Sequence, residues 1–492
     1  MSRVVAVDQS TSGTKAVLID EAGRVDGKAA RPHRQIYPRP GWVEHDAEEI
    51  YRNVVECLGE LARVSPEAVR GAACLSLTNQ RETFVVFERA TGKPLHNAVV
   101  WQCRRGDPVC SDLASAGHAD RVKDTTGLAL DSYFPAPKLK QLLADEPHLR
   151  AAVLSGQAVV GTVDAYLVHR LTSGRVFATD HTNASRTLLF DIERLRWDEE
   201  LGALFGCPLS ALPEVRASAD RFGSTDAEGA LPAELSICGV MGDSQAALFA
   251  QRAFSPGSAK VTLGTGSSVL LNVGHSPRRS RSGIVTTVAW VHDGRPTYAF
   301  EGIINCTGAT VAWLKDQIEL LRTAEESERL ASSLSDNGGV YLVPAFAGLG
   351  APYWREDARG AIVGLTQHST RAHLARAALE AIAYQIRDVL EAMAVEAGSP
   401  LVELSADGGM VGNAFLVQFI ADVARVAVRA SMVPELSALG AALAGMLGTG
   451  VHRSFDDLQR LDLDVRRYSP RMAPARADEL HAGWKRAVAR TF

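Results

Sequence analysis

Val4-Val5-Ala6-Val7 runs into Asp8-Gln9-Ser10-Thr11-Ser12-Gly13-Thr14-Lys15 and then Ala16-Val17-Leu18-Ile19; far downstream, Ala259-Lys260-Val261-Thr262-Leu263 runs into Gly264-Thr265-Gly266-Ser267-Ser268 and then Val269-Leu270-Leu271. Each is an apolar, β-branched run, a tight turn of Gly, Ser and Thr, and a second apolar run, the pattern of a β-hairpin with a polar tip. Such tips offer backbone N–H groups and hydroxyls to an anion such as phosphate. A single copy is a common surface feature. Two copies, one early and one past the middle, imply two related lobes gripping a polyphosphate between them.

The bulk properties agree with two lobes. A chain of 492 residues is too long for one core. With 46% hydrophobic and 22% charged residues it has the make-up of a globular protein. The net charge of −5 and the lack of a basic stripe argue against a nucleic-acid partner; the cluster Arg278-Arg279-Ser280-Arg281 reads as a solvated loop. The 7 cysteines show no C-x-x-C pair, so neither a zinc site nor a disulfide framework is indicated. No secretory signal and no apolar run of membrane-spanning length appear, so the expectations are no membrane insertion and a cytoplasmic location.

Strand-like and helix-like segments alternate, giving an α/β class. Ala72–Leu77 reads as a strand ending in Thr78-Asn79-Gln80-Arg81-Glu82, and Ile237–Met241 as a strand stopping at Gly242-Asp243, where a small-residue helix begins. Ser255-Pro256-Gly257 marks a boundary between lobes. The expected division is 1–251, 257–450 and a charged extension, 451–492, packed on the outside of the lobes. Leu374, Ala378, Ile382, Ile386, Leu390 and Met393 fall on one face of a long helix started by Ser369 or Thr370 and ended by Gly398.

Phosphoryl transfer needs a phosphate cradle, a carboxylate that places Mg²⁺ and a base beside the attacking hydroxyl. The hairpin tips supply the cradle. Asp8, ending the first strand, is placed to hold the metal through water; it reads also as a turn-forming Asp. Asp243, at a helix N-terminus, is the candidate base, although on local sequence alone a simple helix N-cap is the stronger reading. Arg81 and Glu82 suit the hydroxyls of a polyol, or form a surface ion pair. Trp101 and Tyr133 offer apolar plates for carbon faces or are core aromatics. Asp407-Gly408-Gly409-Met410-Val411-Gly412-Asn413 is a glycine-rich turn that admits a flat base and ribose.

Together these segments, with Tyr37–Asp46, Trp101–Arg105, Thr182-Asn183-Ala184-Ser185-Arg186-Thr187, Val343–Trp354 and Arg359–Leu365, resemble the FGGY carbohydrate kinases, most closely their glycerol kinase branch. The resemblance spans about Val4 to Gly450. It implies two ribonuclease-H-like domains of the actin/Hsp70/hexokinase type with a catalytic cleft between them, ATP and Mg²⁺ as cofactors, and transfer to a terminal hydroxyl of a small polyol or sugar. It implies Asp243 as base, Asp8 and Asp243 at the metal, and Arg81, Glu82, Trp101 and Tyr133 at the polyol. It further implies Thr11, Ser12 and Lys15 in the first phosphate loop, Gly264 and Thr265 in the second, and Gly308, Gly409 and Asn413 at the nucleotide. Relatives in this family are commonly dimers or tetramers, so a homo-oligomer is expected. The Asn183 segment carries no mechanism in this reading.

Several positions depart from that branch. Ser244 and Ser268 stand where its members usually have Gln and Phe, which widens the expected substrate pocket. An apolar contact is worth about 1–3 kcal/mol of discrimination. Glycerol therefore leads as substrate, with a tetritol (erythritol, threitol) or a ketopentose (xylulose, ribulose) as the alternative and a non-catalytic polyol and ATP sensor as the remote one. Lys15 replaces an Arg, keeping the charge but losing the fork. Ala312 and Gln141 also depart, and Ala227-Glu228-Gly229-Ala230 stands where a sugar bisphosphate inhibition motif is expected, so that regulation is not carried over.

Overall fold

The computed structural model describes residues 2–280, 282–355 and 357–492. Arg281, the last residue of the basic cluster, lies outside the described residues. Both hairpins form. β1 (Arg3–Gln9) pairs antiparallel with β2 (Gly13–Asp20), followed by β3 (Val25–Pro32). β4 (Leu75–Asn79), β5 (Arg221–Thr225) and β6 (Leu235–Gly242) complete a sheet ordered β5-β6-β4-β1-β2-β3. The second half holds β7 (Ser258–Leu263), β8 (Ser267–Gly274), β9 (Val285–His292), β10 (Arg295–Ile304), β11 (Glu403–Asp407), β12 (Val428–Ser431) and β13 (Val465–Tyr468). Their order is β9-β10-β8-β7-β11-β12-β13.

The repeat read from the hairpins extends to topology. The runs β3-β2-β1-β4-β6 and β10-β8-β7-β11-β12 each make two antiparallel steps and then two parallel ones. This is the two-lobed, ribonuclease-H-like architecture expected. The parallel strands β1, β4 and β6 are buried almost throughout, as central parallel strands covered on both faces must be.

Seven helices matter to the site: α1 (Ala47–Val64), α2 (Asp243–Ala250), α3 (Gly308–Asp316), α4 (Arg371–Ala397), α5 (Ala414–Ala424), α6 (Leu436–Gly448) and α7 (Pro474–Val488). Thr370 caps α4 in a reciprocal box with His373, and Gly398 ends it at φ +59°. The small residues of α6 let backbones meet. A Cβ on Gly440 would lie 1.8 Å from the Ala246 carbonyl, and one on Gly445 2.3 Å from Ser76 Oγ. The second half thus lends a helix to the first, laid against α2 and the β1-β4-β6 face.

Residues 451–492 pack on the lobes through Leu458, Leu463, Leu480 and Trp484. β13 extends the second sheet, and α7 buries Trp484 completely. The Trp484 indole donates to Asp388 Oδ2 at 2.7 Å, while His481 bonds Oδ1 at 2.6 Å. Among the described residues no helix is long and apolar enough to cross a membrane.

Candidate active site

The strand ends of the two sheets supply the site. β6 stops at Gly242, which caps α2, so Asp243 is the first residue of the helix and the N-cap reading is overturned. Asp243 Oδ1 accepts from the Ser244 N–H at 2.6 Å and faces Arg81 Nε at 3.3 Å. Among the described residues Oδ2 takes no hydrogen bond, and the side chain is 38% exposed. One oxygen is held and the other is open.

Arg81 and Glu82 do not form a surface pair. They are 5% and 2% exposed, and each turns to another partner. Glu82, in the left-handed region at φ 61°, accepts from Arg186 Nε at 2.6 Å. Arg81 forks onto Glu301, with Nη2–Oε1 at 2.7 Å and Nη1–Oε2 at 3.2 Å. Arg186 Nη1 lies 2.6 Å from Glu301 Oε2 as an ion pair off the hydrogen-bond direction, and Ser268 Oγ donates to Glu301 Oε1 at 2.9 Å. The second lobe, through β10, therefore inserts a carboxylate between two arginines of the first.

Glu301 and Arg186 lie outside the site residues that the sequence points to. Burial alone would raise the Glu301 carboxyl, but Arg186 and Arg81 outweigh it and hold it at about 2. Burial opposes the Arg81 charge too, yet Glu301 and Glu82 raise it well above its ordinary value. Glu82 goes the other way: burial lifts it despite both arginines.

The 182–187 segment acquires its mechanism here. Asp180 caps the short helix His181–Ala184 and also accepts from the Thr182 and Ser218 hydroxyls. Thr182 Oγ1 then accepts the Gly242 N–H at 2.8 Å, anchoring the backbone next to Asp243. Asn183 and Asn79 exchange amide hydrogen bonds at 3.0 and 3.1 Å. Behind them lies Asp164, fully buried, with Oδ2 bonded to Thr179 at 2.6 Å. Burial, and then the neighbouring Asp180, push Asp164 up to about 7. In this window the folded state holds a proton that the unfolded state has lost, so stability falls as pH rises from about 4 to about 7. Asp164→Asn is expected to flatten that fall; melting curves at pH 5 and pH 8 that keep the wild-type difference would contradict the assignment.

Trp101 and Tyr133 are half-buried, with ring centroids 5.4 Å apart at 57°. Lys138 is completely buried beneath them and donates to the carbonyls of Tyr133 (2.8 Å) and Trp101 (3.2 Å). Burial, opposed by Glu82, lowers its ammonium to about 7. Burial and the Glu82 charge also raise the Tyr133 phenol.

At the first tip, Thr11 is half-buried and Ser12 exposed. The Trp101 indole donates to Thr11 Oγ1 at 3.0 Å. Lys15 is bonded to Glu435 at 2.6 Å and lies 4.0 Å from Asp8; Glu435, from the loop before α6, also grips Lys28 and was not foreseen. At the second tip, the N–H groups of Gly308 and Ala309 donate to the carbonyls of Gly264 and Thr265 at 2.9 and 3.0 Å. A Cβ on Gly308 would lie 2.7 Å from the Gly264 carbonyl, and one on Gly408 2.6 Å from that of Leu263. Gly409 is open, and Asn413 caps α5 through Leu416 N. The structure therefore joins Gly264, Thr265 and Gly308 directly, with the Gly409–Asn413 turn beside them. Among the described residues no hydrogen bond joins one tip to the other.

Asp8 is the residue suited to a divalent ion. Burial raises its carboxyl to about 7; Lys15 opposes this and the charge of Asp243 adds to it. Two carboxylates that repel one another suit a cation between them. Among the described residues no cluster of three or more His, Cys, Asp or Glu would hold a metal unaided, which fits an ion bound by one or two carboxylates and the phosphates of its substrate. A cavity of about 580 Å³ lies elsewhere, between residues 336–341, Val363, Gly364 and α7, and none of these site residues lines it.

Residues 3–250 match the N-terminal domain, and residues 259–449 the C-terminal domain, of the FGGY family of carbohydrate kinases. Glycerol kinase from Xanthomonas axonopodis pv. citri is 45% identical over 489 residues, covering 99% of this chain and 98% of that protein. Glycerol kinase 1 from Thermotoga maritima is 44% identical over 485 residues with the same coverage. Among solved structures, Plasmodium falciparum glycerol kinase with ADP superposes with a TM-score of 0.95 at 33% identity, covering 100% of this chain and 98% of that one. The xylulose kinase from Rhodospirillum rubrum shares the fold at a TM-score of 0.88 and 24% identity, covering 99% of this chain and 98% of its own. A repeated hairpin, a half-open carboxylate at the head of α2 and two family models that leave few residues between them agree: the chain belongs to the FGGY family of carbohydrate kinases.

Proposed function

We propose that this kinase transfers the γ-phosphoryl group of ATP to a terminal hydroxyl of glycerol, giving sn-glycerol 3-phosphate. The observation that carries the reaction type is Asp243: Arg81 and the Ser244 N–H fix Oδ1, leaving Oδ2 to take the hydroxyl proton. The relatives named glycerol kinase, matched over nearly their whole length, support the substrate. Trp101 and Tyr133 offer apolar faces for the carbon chain, with the charges of Arg81 and Glu82 at its hydroxyls. The two hairpin tips hold the phosphates, and the Gly409–Asn413 turn takes the nucleoside. Asp8, with Asp243, would hold Mg²⁺, which supplies neutralisation of charge on the β- and γ-phosphate oxygens.

Ser268 bears on substrate choice. It is half-buried and its hydroxyl is tied to Glu301, so it adds a polar group where a Phe would present an apolar ring. An assay of ADP release over glycerol, erythritol, threitol, xylulose and ribulose is expected to rank glycerol first in kcat/KM. A tetritol or ketopentose above glycerol would transfer the proposal to that substrate; no turnover of any of them would remove it.

A further inference from the structure

The hydrogen bonds beneath the first phosphate tip close on themselves. Gln35 Nε2 donates to the Thr11 carbonyl at 2.7 Å, which leaves Gln35 Oε1 as an acceptor facing His45 Nε2 at 2.8 Å. His45 must therefore carry its proton on Nε2. Its Nδ1 is then an acceptor, and Gln80 Nε2 lies 3.3 Å away as the donor. Gln80 Oε1 in turn accepts from the Thr83 hydroxyl at 2.9 Å, and Thr83 Oγ1 accepts from the Trp101 N–H at 3.2 Å. The ring closes where the Trp101 indole donates to Thr11 Oγ1 at 3.0 Å. Every donor in this circuit meets an acceptor, and Gln80 Nε2 also faces Gln9 Oε1 at 3.1 Å and the Ser10 carbonyl at 3.4 Å, which ties the circuit to the tip a second time.

His45 is the only member with a charged form, and the site keeps it neutral. It is fully buried, and burial, with the His33 ring 4.5 Å away, lowers its pKa to about 3. The circuit has two ends that matter. One is the backbone of the phosphate tip at Thr11; the other is the ring of Trp101 in the polyol site.

We infer that His45, with Gln35 and Gln80, is a positioning residue that couples the first phosphate tip to Trp101, so that polyol seated on Trp101 and nucleotide seated on the tip strengthen each other's binding through this circuit. The inference rests on the assignment of Trp101 to the polyol and Thr11 to the phosphates. Coupling between two sites is reciprocal, and a ring of polar contacts with one satisfied arrangement is a physical route for it.

The test measures binding and so does not depend on turnover. ADP affinity is determined by calorimetry with and without saturating glycerol in the wild type, His45→Leu, His45→Gln and, as a control for lost packing, Leu167→Ala. In the wild type glycerol is expected to tighten ADP by about 5-fold or more, within the usual range of coupling. His45→Leu, which opens the ring, is expected to bring that factor most of the way to one. His45→Gln, with an amide that donates on one side and accepts on the other, is expected to restore it. Leu167→Ala, a cut in the apolar core of the first lobe, is expected to keep it. The inference is overturned if glycerol leaves ADP affinity unchanged in the wild type, if His45→Leu retains full coupling, if His45→Gln is as impaired as His45→Leu, or if Leu167→Ala loses as much. Phosphorylation of glycerol by the wild type, assayed separately, tells these failures from a failure of the proposed function.

Discussion

Asp243→Asn is expected to lower kcat by about 10²–10⁴-fold, the range for removing a general base, while ADP binding measured by calorimetry is unchanged. The substitution keeps the volume of the side chain, and the new amide oxygen still accepts from the Ser244 N–H. Arg81 keeps its fork on Glu301, so the buried charges stay in place. What is lost is the free oxygen that takes the hydroxyl proton. ADP binding is spared because both phosphate tips and the Gly409–Asn413 turn are left intact. Turnover within a few-fold of wild type would remove Asp243 from the role of base.

Arg186→Met is expected to destabilise the fold by about 3–5 kcal/mol, the cost of breaking a buried ion pair from one side. Arg186 is fully buried and serves Glu82 and Glu301 together. Without it Glu82 faces only Arg81, whose Nε is 3.8 Å away and already turned to Asp243. The double substitution Glu82→Gln with Arg186→Met is expected to lose less than the sum of the two singles, since it leaves no unpaired charge. The urea denaturation midpoint measures this. A loss below about 1 kcal/mol for Arg186→Met would mean that the network is solvated, as surface pairs are.

Much of the candidate site was legible because its residues end strands. Asp8 and Asp243 each close an apolar run and Arg81 sits in the polar cluster that ends another, because the chain must place its polar chemistry where the buried strand stops. Glu301 and Arg186 are hidden for the opposite reason: they lie inside buried stretches, Tyr298-Ala299-Phe300-Glu301-Gly302 and Ala184-Ser185-Arg186-Thr187-Leu188, and not at a strand end. The signal was there, because a charge within a strand or turn that is otherwise buried needs a buried partner. Its partner, however, lies 220 residues away in the case of Arg81 and Glu301, a separation that no local pattern encodes. Gln35, His45 and Gln80 read as ordinary polar residues until folding brings them under Thr11.

The sequence by itself determined the two hairpins, the repeat, the helix α4 with its ends, and the strand-end carboxylates, because each depends on neighbours within about twenty residues: side-chain periodicity, capping and turn chemistry act at short range. Only the tertiary structure decided that α6 serves the first lobe, that Glu435 reaches Lys15, that Glu301 lies between two arginines and that Asp243 has one oxygen tied and the other open. Those outcomes depend on which buried charges and hydrogen-bonding groups meet after the sheets are packed, and burial makes each such meeting obligatory without naming the partner in advance.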